Sequence, residues 1–108
     1  MEYEIRQSIA RARALWRERN NKGALEDFDA ALALSPDNPD VLIRRGDAQV
    51  RLRHFDNAVH SYSRAIALDR RSPLAYEKLC RVETILGRDL AAARADCDRA
   101  LELAPRGT

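Results

Sequence analysis

The sequence has few aromatic residues, few helix breakers and no long apolar run. Only 6% of its 108 residues are Phe, Trp or Tyr, so a core has to be built from aliphatic side chains. With 4 Gly and 4 Pro against 18 Ala and 13 Leu, the composition favours helices throughout. No uncharged stretch approaches the roughly 18 apolar residues of a membrane span, and the N-terminal segment lacks the apolar region of a signal peptide. We therefore expect a single helical domain over residues 1–108, located in the cytoplasm.

Charge of one sign is not in excess. The chain has 19 basic and 17 acidic residues, which leaves a net charge of +2 and does not by itself indicate a polyanionic partner. Nearly all of the basic residues are Arg, and this Ala- and Arg-rich usage is a bacterial-type composition as much as a sign of recognition.

Cysteine is scarce, and the two that occur, Cys80 and Cys97, do not form a C-x-x-C motif. Both fall at spacings typical of helix cores, where free thiols behave as small apolar groups. We expect buried, reduced thiols in a reducing compartment. A disulfide or a metal site remains the alternative.

Small residues recur at fixed offsets in three segments of the chain. Gly46 is followed by Ala58 twelve residues later and by Ala65 seven residues after that. The other two triplets with this spacing, the last with one extra residue, are Ala12, Ala24, Ala31 and Cys80, Ala93, Ala100. A period near 34 residues predicts a helical repeat array. Because small residues on facing helices allow close approach of the two axes, a bulky side chain at Gly46 should force its helix pair apart.

Helix start and stop signals divide each repeat into two helices. The first helix should run from about Tyr3 to Arg19, and Asn21 could cap the second. The later start signals are Asn38-Pro39, Asp56, Ser72-Pro73 and Asp89. Gly87 fits the left-handed conformation that ends many helices. The sequence therefore predicts six helices.

These triplets, and the aromatic residues Phe28 and Tyr62 three positions before the last Ala, resemble the tetratricopeptide repeat. The resemblance covers residues 5–38, 39–72 and 73–107, with departures at Arg11, Ala12, Arg70, Cys80 and Cys97. It implies an all-α, right-handed α-solenoid of three helix-turn-helix units and six antiparallel helices. It also implies a scaffold that binds an extended peptide or a partner helix, and not an enzyme.

Projecting the family's inner positions onto the chain predicts a ligand-binding groove. Its candidate residues are Arg6, Ile9, Arg13, Trp16, Arg17, Ile43, Arg44, Asp47, Val50, Arg51, Lys78 and Arg81. The projected surface also includes Asp40, Glu77 and Ile85, so it carries seven basic and three acidic side chains. Because Arg captures carboxylates bidentately, an acidic peptide is the expected ligand, with Trp16 as the best apolar anchor.

A solvated row of ion pairs is the alternative for the same charges. Arg13, Asp47 and Arg81 occupy equivalent positions on successive helices and could pair with one another, and Asp40 could engage Arg6 or Arg44. Exposed pairs of this kind contribute little to stability.

One specific ligand of this family is not favoured by the sequence. Some tetratricopeptide domains grip acidic chaperone tails with Lys, Asn, Asn, Lys and Arg. The matching positions here are Ile9, Arg13, Arg44, Leu74 and Lys78. Only Lys78 approximates the required chemistry, so a role as a chaperone-tail adaptor is not expected.

No pattern of catalytic or metal-ligating residues stands out. His54 and His60 lack partners at ligand spacing, and no phosphate loop or nucleophile–base pattern occurs. We expect no enzyme activity, no cofactor and no metal. Nucleic-acid binding is not favoured either, since in the groove only Trp16 could stack on a base.

The sequence predicts that the sixth helix is not covered by a following one within residues 1–108. Leu101 and Leu103 repeat positions that face the next unit in the earlier repeats, while Arg94 replaces an apolar residue as a partial cap. We expect an exposed assembly edge at Leu90, Leu101 and Leu103. It could pair with a second copy or a partner, or the chain could be a fragment of a longer protein. An oligomerisation module is therefore the alternative to a peptide-binding adaptor.

Overall fold

The computed structural model of the protein describes residues 2–17 and 21–104, and these ranges fold into six α-helices without a strand. The helices are α1 (Glu2–Arg17), α2 (Asn21–Leu34), α3 (Pro39–Arg51), α4 (Phe55–Leu68), α5 (Pro73–Leu86) and α6 (Leu90–Leu103). Each helix packs on the next one in sequence, so consecutive pairs form three helix-turn-helix units. The predicted all-α solenoid of three repeats is confirmed.

Three of the predicted helix starts are formed by side chains that accept a backbone hydrogen bond. The Val41 N–H donates to Asn38 Oδ1 at 3.3 Å, with Pro39 as the first helical residue. Ser72 and Asp89 accept in the same way from the third residue beyond them, at 3.3 and 3.0 Å. Each contact satisfies one of the backbone donors that a helix N-terminus leaves without a partner. Gly87 ends α5 in the left-handed region, with φ of 65°.

Two other boundaries differ from the prediction. Asp56 does not cap α4, because the helix begins one residue earlier and His54 occupies the cap position without a side-chain hydrogen bond. The turn before it is tightened by Arg53, a non-glycine residue with φ of 63°. The carboxylate of Asp56 instead forms an ion pair with Arg88. In the first repeat α1 ends at Arg17, and α2 begins at Asn21 itself, so Asn21 is not the cap that precedes it.

The repeated small residues lie where the helices of a pair meet. Ala12, Ala24, Ala31, Ala58 and Ala65 are all fully buried. Their partners in the triplets are Gly46, Cys80, Ala93 and the less buried Ala100. The core is completed by aliphatic side chains between repeats, with Leu42, Val41 and Val82 almost entirely removed from solvent. The spacing therefore specifies how closely the axes approach, as predicted.

The third repeat differs from the second in a polar contact at equivalent positions. In the second repeat the buried Ser61 hydroxyl donates to Gln49 Oε1 at 2.6 Å. The equivalent residues on α5 and α6 are Glu83 and Asp96, two carboxylates that cannot bond unless one holds a proton. Burial, then a hydrogen bond to Asp96, then the negative charges of Asp96 and Asp89 raise the pKa of Glu83 from 4.5 to about 8.

The protein is therefore expected to lose stability as pH rises through this window. Below the ordinary pKa of 4.5 Glu83 is protonated in both states, and above about 8 it is ionised in both. Between these values the folded chain binds more protons than the unfolded chain, so the free energy of unfolding falls with increasing pH. The substitution Glu83→Gln should flatten this slope, because Gln cannot titrate and matches Gln49. Urea unfolding below, within and above the window measures the effect, and an unchanged slope in the variant would contradict it.

The state of the two cysteines differs from the prediction of free thiols. The structure joins Cys80 on α5 to Cys97 on α6 as a disulfide, with Cα atoms 5.2 Å apart. This separation is within the usual range for such a bond. The reason is the repeat geometry itself: both residues occupy contact positions between the helices of the third pair, so their sulfurs face each other.

Candidate functional site

The described residues form a groove of about 690 Å³ that is open to solvent. The first helices of the repeats supply most of its walls, and α2 and α4 contribute one aromatic ring each. The residues that line it are Arg13, Phe28, Arg44, Asp47, Val50, Arg51, Tyr62, Lys78, Arg81, Val82 and Ile85. We call this concavity the inner groove.

The inner groove is strongly cationic. Five of its lining residues are basic and only Asp47 is acidic. Because the whole chain carries only +2, the positive charge is concentrated on this surface. A concave wall of one sign focuses the field and attracts ligands of the opposite charge.

Asp47 is already held by two neighbours inside the groove. Lys78 Nζ lies 2.9 Å from Asp47 Oδ2, and the Tyr62 hydroxyl donates to Oδ1 at 2.5 Å. Burial, then the hydrogen bond to Asp47, raises the pKa of Tyr62, so the phenol keeps its proton and remains a donor. The carboxylate is thus satisfied, and the groove keeps four other cationic side chains.

The ion pairs of the groove follow the expected helix geometry only in part. Asp40 pairs with Arg44, one of its two predicted partners, at 3.3 Å. Arg81 pairs with Glu77 on its own helix at 2.9 Å, and Asp47 pairs with Lys78. A ladder of Arg13, Asp47 and Arg81 is therefore not what the structure contains. In each of the pairs Asp40–Arg44 and Glu77–Arg81, the two residues are one turn apart on an exposed face of one helix. A ligand carboxylate can therefore compete with these pairs at little cost.

Apolar side chains form the other part of the groove surface. Val50, Val82 and Ile85 come from α3 and α5, and Ile85 is 57% exposed. Phe28 and Tyr62 reach the groove from the second helices. These two rings and Val82 were not predicted as groove residues. The sequence pattern pointed to the two rings, because an aromatic residue three positions before the last Ala fills the space beside the contact between the paired helices. That space also opens toward the groove.

Several predicted groove residues lie elsewhere. Ile43 is 7% exposed and belongs to the core, and Ile9 is partly buried against that core. Arg6 is exposed and pairs with Glu2 at 3.1 Å. Trp16 and Arg17 are on the last turn of α1, and their side chains lie outside the described residues. Of the ten candidates whose side chains are described, the structure brings seven together, namely Arg13, Arg44, Asp47, Val50, Arg51, Lys78 and Arg81.

The predicted assembly edge on α6 is only partly exposed. Leu90 is 63% and Leu101 is 76% exposed, whereas Leu103 is half-buried, contrary to expectation. In the first repeat Leu32, which corresponds to Leu101, is only 9% exposed, and its helix α2 packs against the following helix α3. The described part of the chain has no helix that covers α6 in this way.

Neither the groove nor the rest of the described chain brings together His, Cys, Asp and Glu side chains in a group suited to a metal ion. The histidines, His54 and His60, do not line the groove. Within the same residues, no helix is long and apolar enough to cross a membrane.

Consecutive antiparallel helix pairs with a groove along their first helices define an α-solenoid repeat scaffold. Comparison with family models identifies the repeat family of this scaffold. A tetratricopeptide repeat model matches residues 43–108, and a second tetratricopeptide repeat model matches residues 6–48. The chain belongs to the tetratricopeptide repeat family. No curated protein sequence matches it.

Solved structures with the same fold include domains with bound peptides. The first TPR of Spaghetti (RPAP3), bound to HSP90 peptide SRMEEVD, has a TM-score of 0.92 at 23% identity over 99% of this chain and 84% of that one. The Yersinia enterocolitica type III secretion chaperone SycD, in complex with a peptide of the translocator YopD, has a TM-score of 0.89 at 22% identity over 94% and 77%. The Arabidopsis OM64 TPR domain has a TM-score of 0.90 at 22% identity over 98% and 87%.

Proposed function

We propose that the protein is an interaction scaffold that binds an extended acidic peptide or partner segment in its inner groove. The observation that carries this proposal is the charge of the groove, where five basic side chains face one carboxylate that Lys78 and Tyr62 already hold. A ligand carboxylate competes with the exposed pairs of Arg44 and Arg81, and the one carboxylate that lines the groove, Asp47, is already bonded.

The arrangement of charge and apolar surface favours a particular kind of ligand. Arg44 and Arg51 are seven residues apart on α3 and therefore two turns apart on one face. Guanidinium groups at this spacing suit carboxylates on an extended chain. Val50 and Ile85 lie beside them and offer contact for an apolar side chain. An acidic peptide with interspersed apolar residues matches both features.

The related structures support peptide binding but not the same mode of binding. One is bound to the acidic peptide SRMEEVD. The residues of the chaperone-tail clamp are absent here, where Ile9, Arg13, Arg44, Leu74 and Lys78 stand at the corresponding positions. A ligand of this groove would thus be held mainly by Arg and not by Lys and Asn amides.

Reversal of two groove charges tests the proposal. The probe is a fluorescent synthetic peptide of alternating Glu and Leu, and its matched control has Gln in place of Glu. The protein should bind the acidic peptide more tightly, and Arg44→Glu/Arg51→Glu should weaken that binding by at least about tenfold, since charged partners govern both attraction and retention. Fluorescence anisotropy at low and high salt measures the affinities.

The control variant carries the same charge change outside the groove. Arg70→Glu/Arg71→Glu alters two exposed residues between α4 and α5 that do not line the groove. It should retain binding. Equal affinity for both peptides, or equal loss in both double variants, would contradict a specific groove.

The exposure of Leu101 favours a second candidate, an assembly module that uses the edge of α6. The same charge reversal separates the two roles, because Arg44 and Arg51 are not on α6. Loss of partner binding without loss of self-association supports the groove. Unchanged partner binding supports assembly through another surface.

A further inference from the structure

The outward face of α6 has a pattern of charge and apolar residues that is complementary to itself. Leu90, Arg94, Asp98 and Leu101 are three or four residues apart, so they share one face of the helix. All four are exposed. Along this stripe, which we call the α6 stripe, the order is apolar, positive, negative, apolar.

The two charges of the stripe are not used within the described chain. Among residues 2–17 and 21–104, neither Arg94 nor Asp98 has a hydrogen bond or ion pair. The neighbouring Arg99, by contrast, pairs with Glu102 at 3.0 Å. Four residues apart on one helix, Arg94 and Asp98 could have paired with each other, but the cation precedes the anion, which is the less favourable orientation.

We propose that the α6 stripe is an interface with a second copy of this chain, in which two α6 helices cross antiparallel about a two-fold axis. An axis near the midpoint of Arg94 and Asp98 brings each Arg94 against Asp98 of the other copy. The same rotation places each Leu90 against Leu101 of the other copy. A two-fold interface requires that a surface match itself, and this order of residues does so.

The repeat register explains why Leu101 is expected to be covered by another helix. Leu32 is 9% exposed and belongs to the core, and Ile66 is partly buried against that core, whereas Leu101 at the same position is 76% exposed. The exposed Ala91 and Ala95 flank the stripe and permit a close approach of the second helix. A second α6 therefore supplies to Leu101 what the following helix supplies to its counterparts.

This inference rests on the assembly role and makes it specific, and it does not depend on peptide binding in the inner groove. Sedimentation velocity over a wide concentration range should show a monomer–dimer equilibrium. Arg94→Asp should place four carboxylates at the interface and weaken dimerisation by at least about tenfold, and Asp98→Arg should do the same with four cations. The swap Arg94→Asp/Asp98→Arg should restore it.

A mixture of the two single variants provides the sharpest test. Each alone should be a monomer, but together they should form a heterodimer, because both charge contacts then join a carboxylate of one copy to a guanidinium of the other. Leu101→Lys should also abolish the dimer without unfolding the chain, while Tyr3→Lys, an exposed position on α1 at the other end of the array, should not.

The outcomes separate the interface from the wider proposals. A dimer that is indifferent to all these changes overturns the α6 interface and leaves assembly through another surface. A strict monomer overturns self-association, and the stripe would then be open to a helix of another protein. In both cases the peptide titration of the groove still decides the proposed function.

Discussion

Gly46→Val is expected to destabilise the protein by about 2–3 kcal/mol, at the upper end of what overpacking costs. A Cβ atom at this position would overlap Cε1 of Tyr62 and lie 2.8 Å from Cδ1 and Cζ. The ring cannot move aside easily, since Tyr62 is 2% exposed and its hydroxyl is bonded to Asp47. Valine is also a better helix former than glycine, which offsets less than about 1 kcal/mol of the cost. Urea unfolding followed by circular dichroism measures the difference.

A double-mutant cycle identifies the cause of that loss. Tyr62→Leu removes the ring that a residue at position 46 would overlap, so Gly46→Val should cost less in the Tyr62→Leu background than in the native chain. Ala67→Val, at an exposed position on α4, is the control for a β-branched residue in a helix and should change stability by less than about 1 kcal/mol. Additive losses in the cycle would show that the tight contact with Tyr62 is not the reason.

The architecture could be predicted from sequence because it depends on local signals that repeat. Gly46, Ala58 and Ala65 set the approach of two helices, and the same spacing occurs three times, so one chance match could not mislead the assignment. The caps at Asn38 and Ser72 bond to a backbone N–H only three residues later, so they could also be predicted from the local sequence. The start of α4 was misplaced because the positive φ of Arg53 shortens the turn, and the residue type does not indicate this.

The contents of the inner groove were less predictable, because side chains of three repeats compete there for partners. The positions of Arg44, Asp47 and Arg51 on one helix face follow from the period. The choice of Lys78 as the partner of Asp47 depends on the distance between two repeats, which the sequence does not state. Ile43 illustrates the opposite error: a position that points inward in the family is covered here by its neighbours and belongs to the core.

The disulfide shows how a residue type at a repeat position can change its role. The expectation of free thiols came from the core spacing of Cys80 and Cys97 and from the absence of a C-x-x-C motif. That spacing is also what places the two residues opposite each other on α5 and α6. Sequence could locate both cysteines at the helix contact but could not measure the distance across it.

Reduction of this disulfide is expected to destabilise the protein by about 3 kcal/mol, the value for a closed loop of similar length. The bond joins residues 17 positions apart, so it restricts the unfolded chain over the whole turn between α5 and α6. The loss should be confined largely to the third repeat, because each repeat of such an array contacts only its neighbours. Urea unfolding with and without dithiothreitol measures it, and hydrogen exchange should show the greatest gain in α6.

The control is the variant Cys80→Ala/Cys97→Ala, in which alanine suits Cys80 because Ala12 holds the same position in the first repeat. Its stability should not respond to dithiothreitol, and it should resemble the reduced native chain. Alkylation of the air-oxidised protein under denaturing conditions gives an independent reading. Two alkylated thiols before reduction would mean that Cys80 and Cys97 lie close together without a bond, and that the third repeat is held by packing alone.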